Sequence, residues 1–265
     1  MSELTQKTIE VCGEPITFFG YAGDSYFDAL EDFAGQNAFF AELLGTVRPA
    51  PTIVDVGANI GITSMMASRL RKDGNVFAIE AAPHAAEALR RTFAANNFER
   101  TPPDLTEVAL SSAVGKAYFS EMQFLAGSHL SADGGIDRAN MIEVHTTTLD
   151  DFVFSKRIVS VDFVKVDVEG FELDVLQGAQ KTIERDNPLF VIEFNSYAIS
   201  ACRNASPWAL AQFILQRFGA FCFRRKGQDI VVVRTEQQGK DFIYGNMVVG
   251  CIDDIAFGGS FIDSL

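Results

Sequence analysis

The sequence predicts an α/β fold, an open and mostly parallel central sheet with helices on both faces. Three observations carry that expectation. Between residues 52 and 234, short apolar runs of strand length alternate with longer segments whose apolar residues recur at helical spacing. The first of those runs, TIVDV at 52–56, empties into a glycine-bearing turn, GANIG, before helix-forming residues. No internal repeat, low-complexity segment or Pro/Gly/Ser-rich linker divides the series.

The elements follow in order. Residues 24–45 place Phe27, Leu30, Phe33, Phe40 and Leu44 at helical spacing, with Gly45 as a stop. They predict one amphipathic helix or two short ones, within an N-terminal segment of residues 1–48. Their aromatics read as core packing, with the lining of a substrate pocket as the second reading. The main domain, residues 49–265, then begins. TIVDV (52–56) is a buried strand and residues 59–72 a helix. NVFAIE (75–80) is a strand, and residues 82–97 form a helix with Pro83 in its first turn, where a missing N–H costs nothing. LTEVAL (105–110) is a third strand, and residues 114–147 read as β-rich around a glycine-containing loop. DFVKVDV (162–168) is a strand, residues 170–187 a helix, PLFVIEF (188–194) a strand, residues 207–219 a helix, and QDIVVVR (228–234) the closing strand.

Composition narrows the function classes. With 48% hydrophobic residues and 24 phenylalanines, the 265-residue chain can bury a sizeable core. Its formal charge of −13 repels phosphate backbones and anionic lipid, so no nucleic-acid partner is expected and small or neutral substrates fit better. RLRK (69–72) and RRKG (224–227) read as solvated ends of elements. No secretory signal and no membrane span are apparent, and the expected location is the cytoplasm. Four scattered cysteines and three histidines show no zinc spacing, so no metal site is assigned. Nothing in the sequence opposes a homo-oligomer.

In a doubly wound sheet, ligands sit at the carboxyl ends of the strands, near the switch in strand order. The turn after TIVDV occupies such a place. Gly57 and Gly61 admit a ligand without a Cβ in the way, and the helix start favours a carboxylate. Asp55 would repel a pyrophosphate but suits an ammonium. The dinucleotide fingerprint G-x-G-x-x-G is therefore a poor fit. Glu80 ends the next strand, 19 residues past Gly61, where a carboxylate can accept hydrogen bonds from both ribose hydroxyls. Asp55, the glycine turn and Glu80 together describe a site for S-adenosylmethionine. A nicotinamide-dependent oxidoreductase, and an accessory protein that binds a cofactor without turnover, stay open as alternatives.

VDVGANIGITS, FAIEAAP, VALSSAVG, TTTLDDF and VDFVKVDVEGFELDVLQGAQKTI, followed by LFVIEF, come in the order and spacing of the FkbM-like methyltransferases, which this chain resembles over roughly residues 50–195. KVDVEGFE (165–172) is the most diagnostic piece. The resemblance implies a Rossmann-like class I methyltransferase fold, S-adenosylmethionine as donor, and transfer to a hydroxyl oxygen. Acceptors in such families are sugars, glycolipids, polyketides or other secondary metabolites. By matching position, Asp55, Gly57, Asn59 and Gly61 surround the methionine part, Glu80 holds the ribose, and Ala109 and Leu110 edge the adenine. Ala81 stands where the family often has proline, and His129 where it often has a small polar residue.

Methyl transfer to a hydroxyl needs an oriented oxygen and a proton acceptor. Asp167 and Glu169 end the fourth strand and Glu193 the fifth, so all three are candidate catalytic residues. His129 joins them for its intrinsic pKa. Glu172 reads as a helix-start carboxylate facing the macrodipole, and His145 as structural. Asp167, Glu193 and Asn195 offer hard oxygens on adjacent strands, yet magnesium is not part of the expected mechanism.

Overall fold

The computed structural model describes residues 3–36, 38–120, 129–131, 141–203, 206–224, 230–235 and 244–250. The chain opens with a feature the periodicity does not announce. Strands β1 (Leu4–Val11) and β2 (Glu14–Tyr21) form an antiparallel hairpin in which Val11 faces Glu14. The two residues between them, Cys12 and Gly13, both have positive φ (54° and 78°), the signature of a tight turn whose twist matches the strands.

The predicted helix over 24–45 is broken into three: α1 (Ser25–Asp28), α2 (Leu30–Gln36) and α3 (Ala38–Leu44). Asp24 starts α1 by accepting the N–H groups of Tyr26 (2.8 Å) and Phe27 (3.0 Å). The N-terminal segment is therefore a hairpin, which the sequence reading does not foresee, followed by short helices where helix is expected. Phe33 has no described side chain, while Phe27, Leu30, Phe40 and Leu44 are buried as core packing.

The α/β series then runs β3 (Thr52–Val56), α4 (Ile62–Leu70), β4 (Asn75–Ile79), α5 (Pro83–Ala95) and β5 (Asp104–Thr106). It continues with β6 (Ala109–Leu110), β7 (Gly115–Ser120), β8 (His129–Ser131), β9 (Met141–Thr147) and α6 (Leu149–Ser155). Next come β10 (Phe163–Val166), α7 (Glu172–Gln177), α8 (Gln180–Asp186), β11 (Leu189–Asn195), α9 (Ser196–Arg203) and α10 (Pro207–Phe218). Strands β12 (Phe221–Arg224), β13 (Ile230–Val233) and β14 (Tyr244–Val249) complete the described chain.

The main sheet has the order β13-β12-β14-β11-β10-β3-β4-β5. Strands β11, β10, β3, β4 and β5 are parallel neighbours, while β14, β12 and β13 add an antiparallel edge. The closing strand of the prediction, β13, thus lies on that antiparallel edge. From β3 the chain first builds outward through β4 and β5, then returns to β3's other side with β10. The strand order therefore switches between β3 and β10, the place where doubly wound sheets seat their ligands.

Alternate residues of the central strands enter two separate cores. Ile53, Phe163 and Val191 pack with the hairpin, α4 and α5, whereas Val54, Val56, Val164, Val166 and Ile192 pack with α6, α7, α8 and α10. Both faces of the sheet are covered, as the largely apolar central strands require.

Two predicted elements are split by distant partners. The run 105–110 divides, because β5 pairs with β4 while β6 pairs with β9 in a second sheet ordered β6-β9-β7-β8. The helix over 170–187 breaks at Gly178, where an added Cβ would lie 2.1 Å from the Ser111 carbonyl oxygen. Among the described residues no helix is long and apolar enough to cross a membrane.

Candidate functional site

The turn between β3 and α4 is held by backbone. The N–H groups of Gly57 and Ala58 both donate to the Ile79 carbonyl, at 2.9 and 3.1 Å, and Gly61 donates to Ala58. Gly57 has φ +77°, and a Cβ built on it would stand 1.8 Å from the Asp167 carbonyl oxygen. Only glycine lets the end of β3 lie this close to the end of β10. Asn59, at φ +50°, donates its N–H to Glu80 Oε2 at 2.7 Å. Gly61 opens α4 at φ +102°.

Asp55 is wholly buried, and its Oδ2 accepts hydrogen bonds from Thr63 Oγ1 and Ser64 Oγ, both 2.6 Å away. The acid therefore first fastens α4's opening turn to β3. Its Oδ1 is buried without a hydrogen-bond partner, and so is Asn59 Oδ1. An acceptor left in this state costs about 1–3 kcal/mol, so the turn presents two oxygens suited to a donor-bearing ligand such as an ammonium. Glu80 lies beside them, accepting the N–H of Ala82 (2.7 Å) at its other oxygen. Burial pushes its carboxyl up to about 7, against the pull of the N–H groups of Ala82, Asn59 and Ala81.

The ends of β10 and β11 carry a second group. Asp167, Glu169 and Glu193 are half-buried and bring one carboxylate oxygen each within 4.8 Å of one another. Asn195, at the end of β11, accepts the N–H of Ala198 at its Oδ1 (3.1 Å). Asp167 Oδ2 accepts from the ammonium of Lys165 at 2.8 Å. Burial alone would lower the Lys165 pKa, but Asp167, Asp55 and Glu193 hold it above its usual value. Glu169 is pushed up to about 8 by burial and by the charges of Asp167 and Glu172. Glu172 is buried inside the turn that carries Asp167 and Glu169, with its Oε1 accepting from Val168 (3.2 Å) and Gly170 (3.0 Å). Burial raises it to about 7. It therefore clasps the loop before α7 instead of lying on the helix surface.

The remaining predicted residues fall as follows. Ala109 and Leu110 are buried in β6, beside Thr146 and Thr147 of β9. His129 begins β8 opposite Ser120, and β8 lies against α9, the helix that follows β11. The His129 side chain lies outside the described residues. His145 is exposed on β9.

Two residues of the site escaped the sequence reading. Lys165 is a charge in the middle of an apolar strand, and the Lys-x-Asp spacing that pairs it with Asp167 on one face is the signal that announces it. Tyr26 arrives from α1 on the same face of the sheet. Burial, then the charges of Asp167, Asp55, Glu193 and Asp24, push its hydroxyl pKa up. No local pattern foretells Tyr26, because its place depends on the docking of the hairpin onto α5. That docking is made by Thr17 N–H to Asn96 Oδ1 (3.1 Å) and Phe19 N–H to Thr92 Oγ1 (3.0 Å).

Comparison with known proteins matches residues 55–224 to the methyltransferase FkbM domain. The 2-O-methyltransferase NoeI of Sinorhizobium fredii is 30% identical over 152 residues, covering 52% of this chain and 61% of NoeI. The hexuronic acid methyltransferase AglP of Haloferax volcanii is 30% identical over 167 residues, covering 62% of this chain and 63% of AglP. The chain thus spans about three fifths of the length of these curated relatives. A crystal structure of methyltransferase FkbM from Methylobacillus flagellatus aligns with a TM-score of 0.49 at 18% identity, covering 86% of this chain and 55% of that one.

Proposed function

The chain belongs to the FkbM methyltransferase domain family, and on that premise we propose that it is an O-methyltransferase using S-adenosylmethionine. Its acceptor is a hydroxyl of a small molecule, a saccharide or a polyketide-like metabolite. Residues 49–265 form the catalytic domain in this reading, preceded by the segment 1–48. The observation that carries it is the junction at Gly57. The turn with the two unpartnered oxygens and Glu80 abuts the Asp167 end of β10, so a cradle and an acid group adjoin.

The residues present fit the donor. Asp55 Oδ1 and Asn59 Oδ1 would receive the ammonium, Glu80 the ribose hydroxyls, and the backbone at Ala109 and Leu110 the edge of the adenine. When bound, S-adenosylmethionine supplies a methyl group already activated by its sulfonium. What the chain must add is orientation and a proton acceptor. Asp167 fills that role, with Lys165 fixing its carboxylate; His129 remains a second candidate on the β8 side. Glu169, whose pKa is pushed up by burial and by the charges of Asp167 and Glu172, is a further carboxyl that can face the acceptor. Glu193 completes the wall. The acid group and the net charge of −13 favour a neutral acceptor over a nucleic acid or another polyanion.

The test is methyl transfer from isotopically labelled S-adenosylmethionine to a panel of neutral glycosides, uronides and hydroxylated aromatic compounds. Label recovered as a methyl ether, with S-adenosylhomocysteine formed only when the acceptor is present, supports the proposal. Label found on nitrogen or carbon would contradict O-methylation.

A further inference from the structure

At the edge of the sheet opposite the acid group, a cavity of about 640 Å³ opens under the hairpin. Its wall combines Glu14 and Thr17 of β2, Arg69 and Lys72 at the far end of α4, and Phe98 and Arg100 beyond α5. The volume is that of a small-molecule site. Strand β4 starts here at Asn75, and Glu80 follows its other end. The strand's length, about 16 Å, separates this cavity from the cradle, so an occupant takes no part in methyl transfer.

The lining runs against the charge of the whole protein. Four cationic side chains, Arg69, Arg71, Lys72 and Arg100, face two carboxylates, Glu14 and Glu99, on a chain of net charge −13. Arg71 is spent on the fold, since it donates to the carbonyls of Leu44, Val47 and Arg48. Arg69 differs. Its side chain is nine-tenths buried and lies 5.1 Å over the Phe98 ring, with Nη1 donating to the Asn97 carbonyl at 2.6 Å. Its buried Nε forms an ion pair with Glu14 Oε2 at 3.1 Å, out of line for a hydrogen bond. Arg100 donates Nη1 to the Asp73 carbonyl at 2.6 Å. Lys72 pairs with Glu99 (2.7 Å) and Glu14 (3.1 Å) and is 41% exposed. Guanidinium forks of this kind match tetrahedral oxyanions, and Phe98 offers an apolar face to the rest of a ligand.

We propose that this cavity is a second ligand site, for a small phosphate-bearing anion, separate from the methyl-donor cradle. Arg69, Lys72 and Arg100 hold the phosphate oxygens, and the occupant bridges the hairpin to the far ends of α4 and α5.

Calorimetric titration of the full chain with inorganic pyrophosphate, at an ionic strength fixed by chloride, tests it. The comparison variant carries Lys72→Gln and Arg100→Gln, which leave Arg69 and Arg71 in place to hold the fold. Saturable binding by the wild type, weakened roughly tenfold or more in the variant, is expected, with S-adenosylhomocysteine binding and the unliganded thermal midpoint unchanged. Arg100→Lys alone, which keeps the charge and loses the fork, gives an intermediate loss and serves if the double variant is unstable. A sugar phosphate that binds more tightly than inorganic phosphate identifies an ester as the occupant; the reverse order identifies free phosphate. No saturable binding to the wild type, or equal affinity in wild type and variants, overturns the proposal.

Discussion

Gly57 and Gly13 have nearly the same backbone, φ +77° and +78°, and differ in what surrounds them. A Cβ on Gly13 would meet nothing within 4 Å, while one on Gly57 would stand 1.8 Å from the Asp167 carbonyl oxygen and 3.3 Å from Val168. Gly13→Ala therefore measures the left-handed conformation alone, about 1–2 kcal/mol. Gly57→Ala adds the displacement of a backbone carbonyl that cannot swing aside as a side chain would. Overpacking of that kind costs a further 1–3 kcal/mol or so. Urea denaturation of both variants beside the wild type reads the difference. The expected result is a gap of about 1–3 kcal/mol between the two variants, with S-adenosylhomocysteine affinity lost in Gly57→Ala and kept in Gly13→Ala. Equal destabilisation with intact binding in both would refute the close approach of β3 and β10 on which the cradle depends.

Three other outcomes follow from the same geometry. Glu172 binds its proton more tightly folded (about 7) than at its ordinary value of 4.5, so its contribution is complete below pH 4.5 and is lost as pH rises through about 7. Stability should therefore fall between about pH 4.5 and 7, and Glu172→Gln, which keeps the acceptor for Val168 and Gly170, should flatten that fall by up to about 3 kcal/mol; a wild-type stability that climbs over this range contradicts the assignment. Asp167→Ala should keep donor affinity and lower turnover roughly 100-fold or more, and full activity would clear it of a catalytic role. Glu80→Ala and Asp55→Ala should each weaken donor binding roughly tenfold or more, with Asp55→Ala also lowering the thermal midpoint because Thr63 and Ser64 lose their acceptor.

The parts of the fold that were legible are those decided locally. TIVDV, NVFAIE and FVKV are mostly apolar because both faces are covered, and the acids Asp55, Glu80 and Asp167 stand near the strand ends where the reading put them. The parts that were not legible depend on contacts far along the chain. Gly178 ends a helix because Ser111 lies against it, and β6 leaves the main sheet to pair with β9. The hairpin hid behind Cys12, a residue type seldom chosen for positive φ, and β1 is exposed along much of its length. Glu172 was readable as a helix-start carboxylate but not as the clasp of the preceding turn, since its partners Val168 and Gly170 are backbone N–H groups. Asp167, Glu169 and Glu193 converge at the adjoining ends of β10 and β11, and Asn195, which ends β11, also accepts the N–H of Ala198 at the start of α9.

The most direct measurement is a calorimetric titration of the purified chain with S-adenosylhomocysteine, with NADH and NADPH titrated in parallel. The account predicts saturable binding of the homocysteine product and no heat from either nicotinamide nucleotide. Binding of a nicotinamide nucleotide, with S-adenosylhomocysteine ignored, would contradict it and reassign Glu80 to the ribose of a dehydrogenase cofactor.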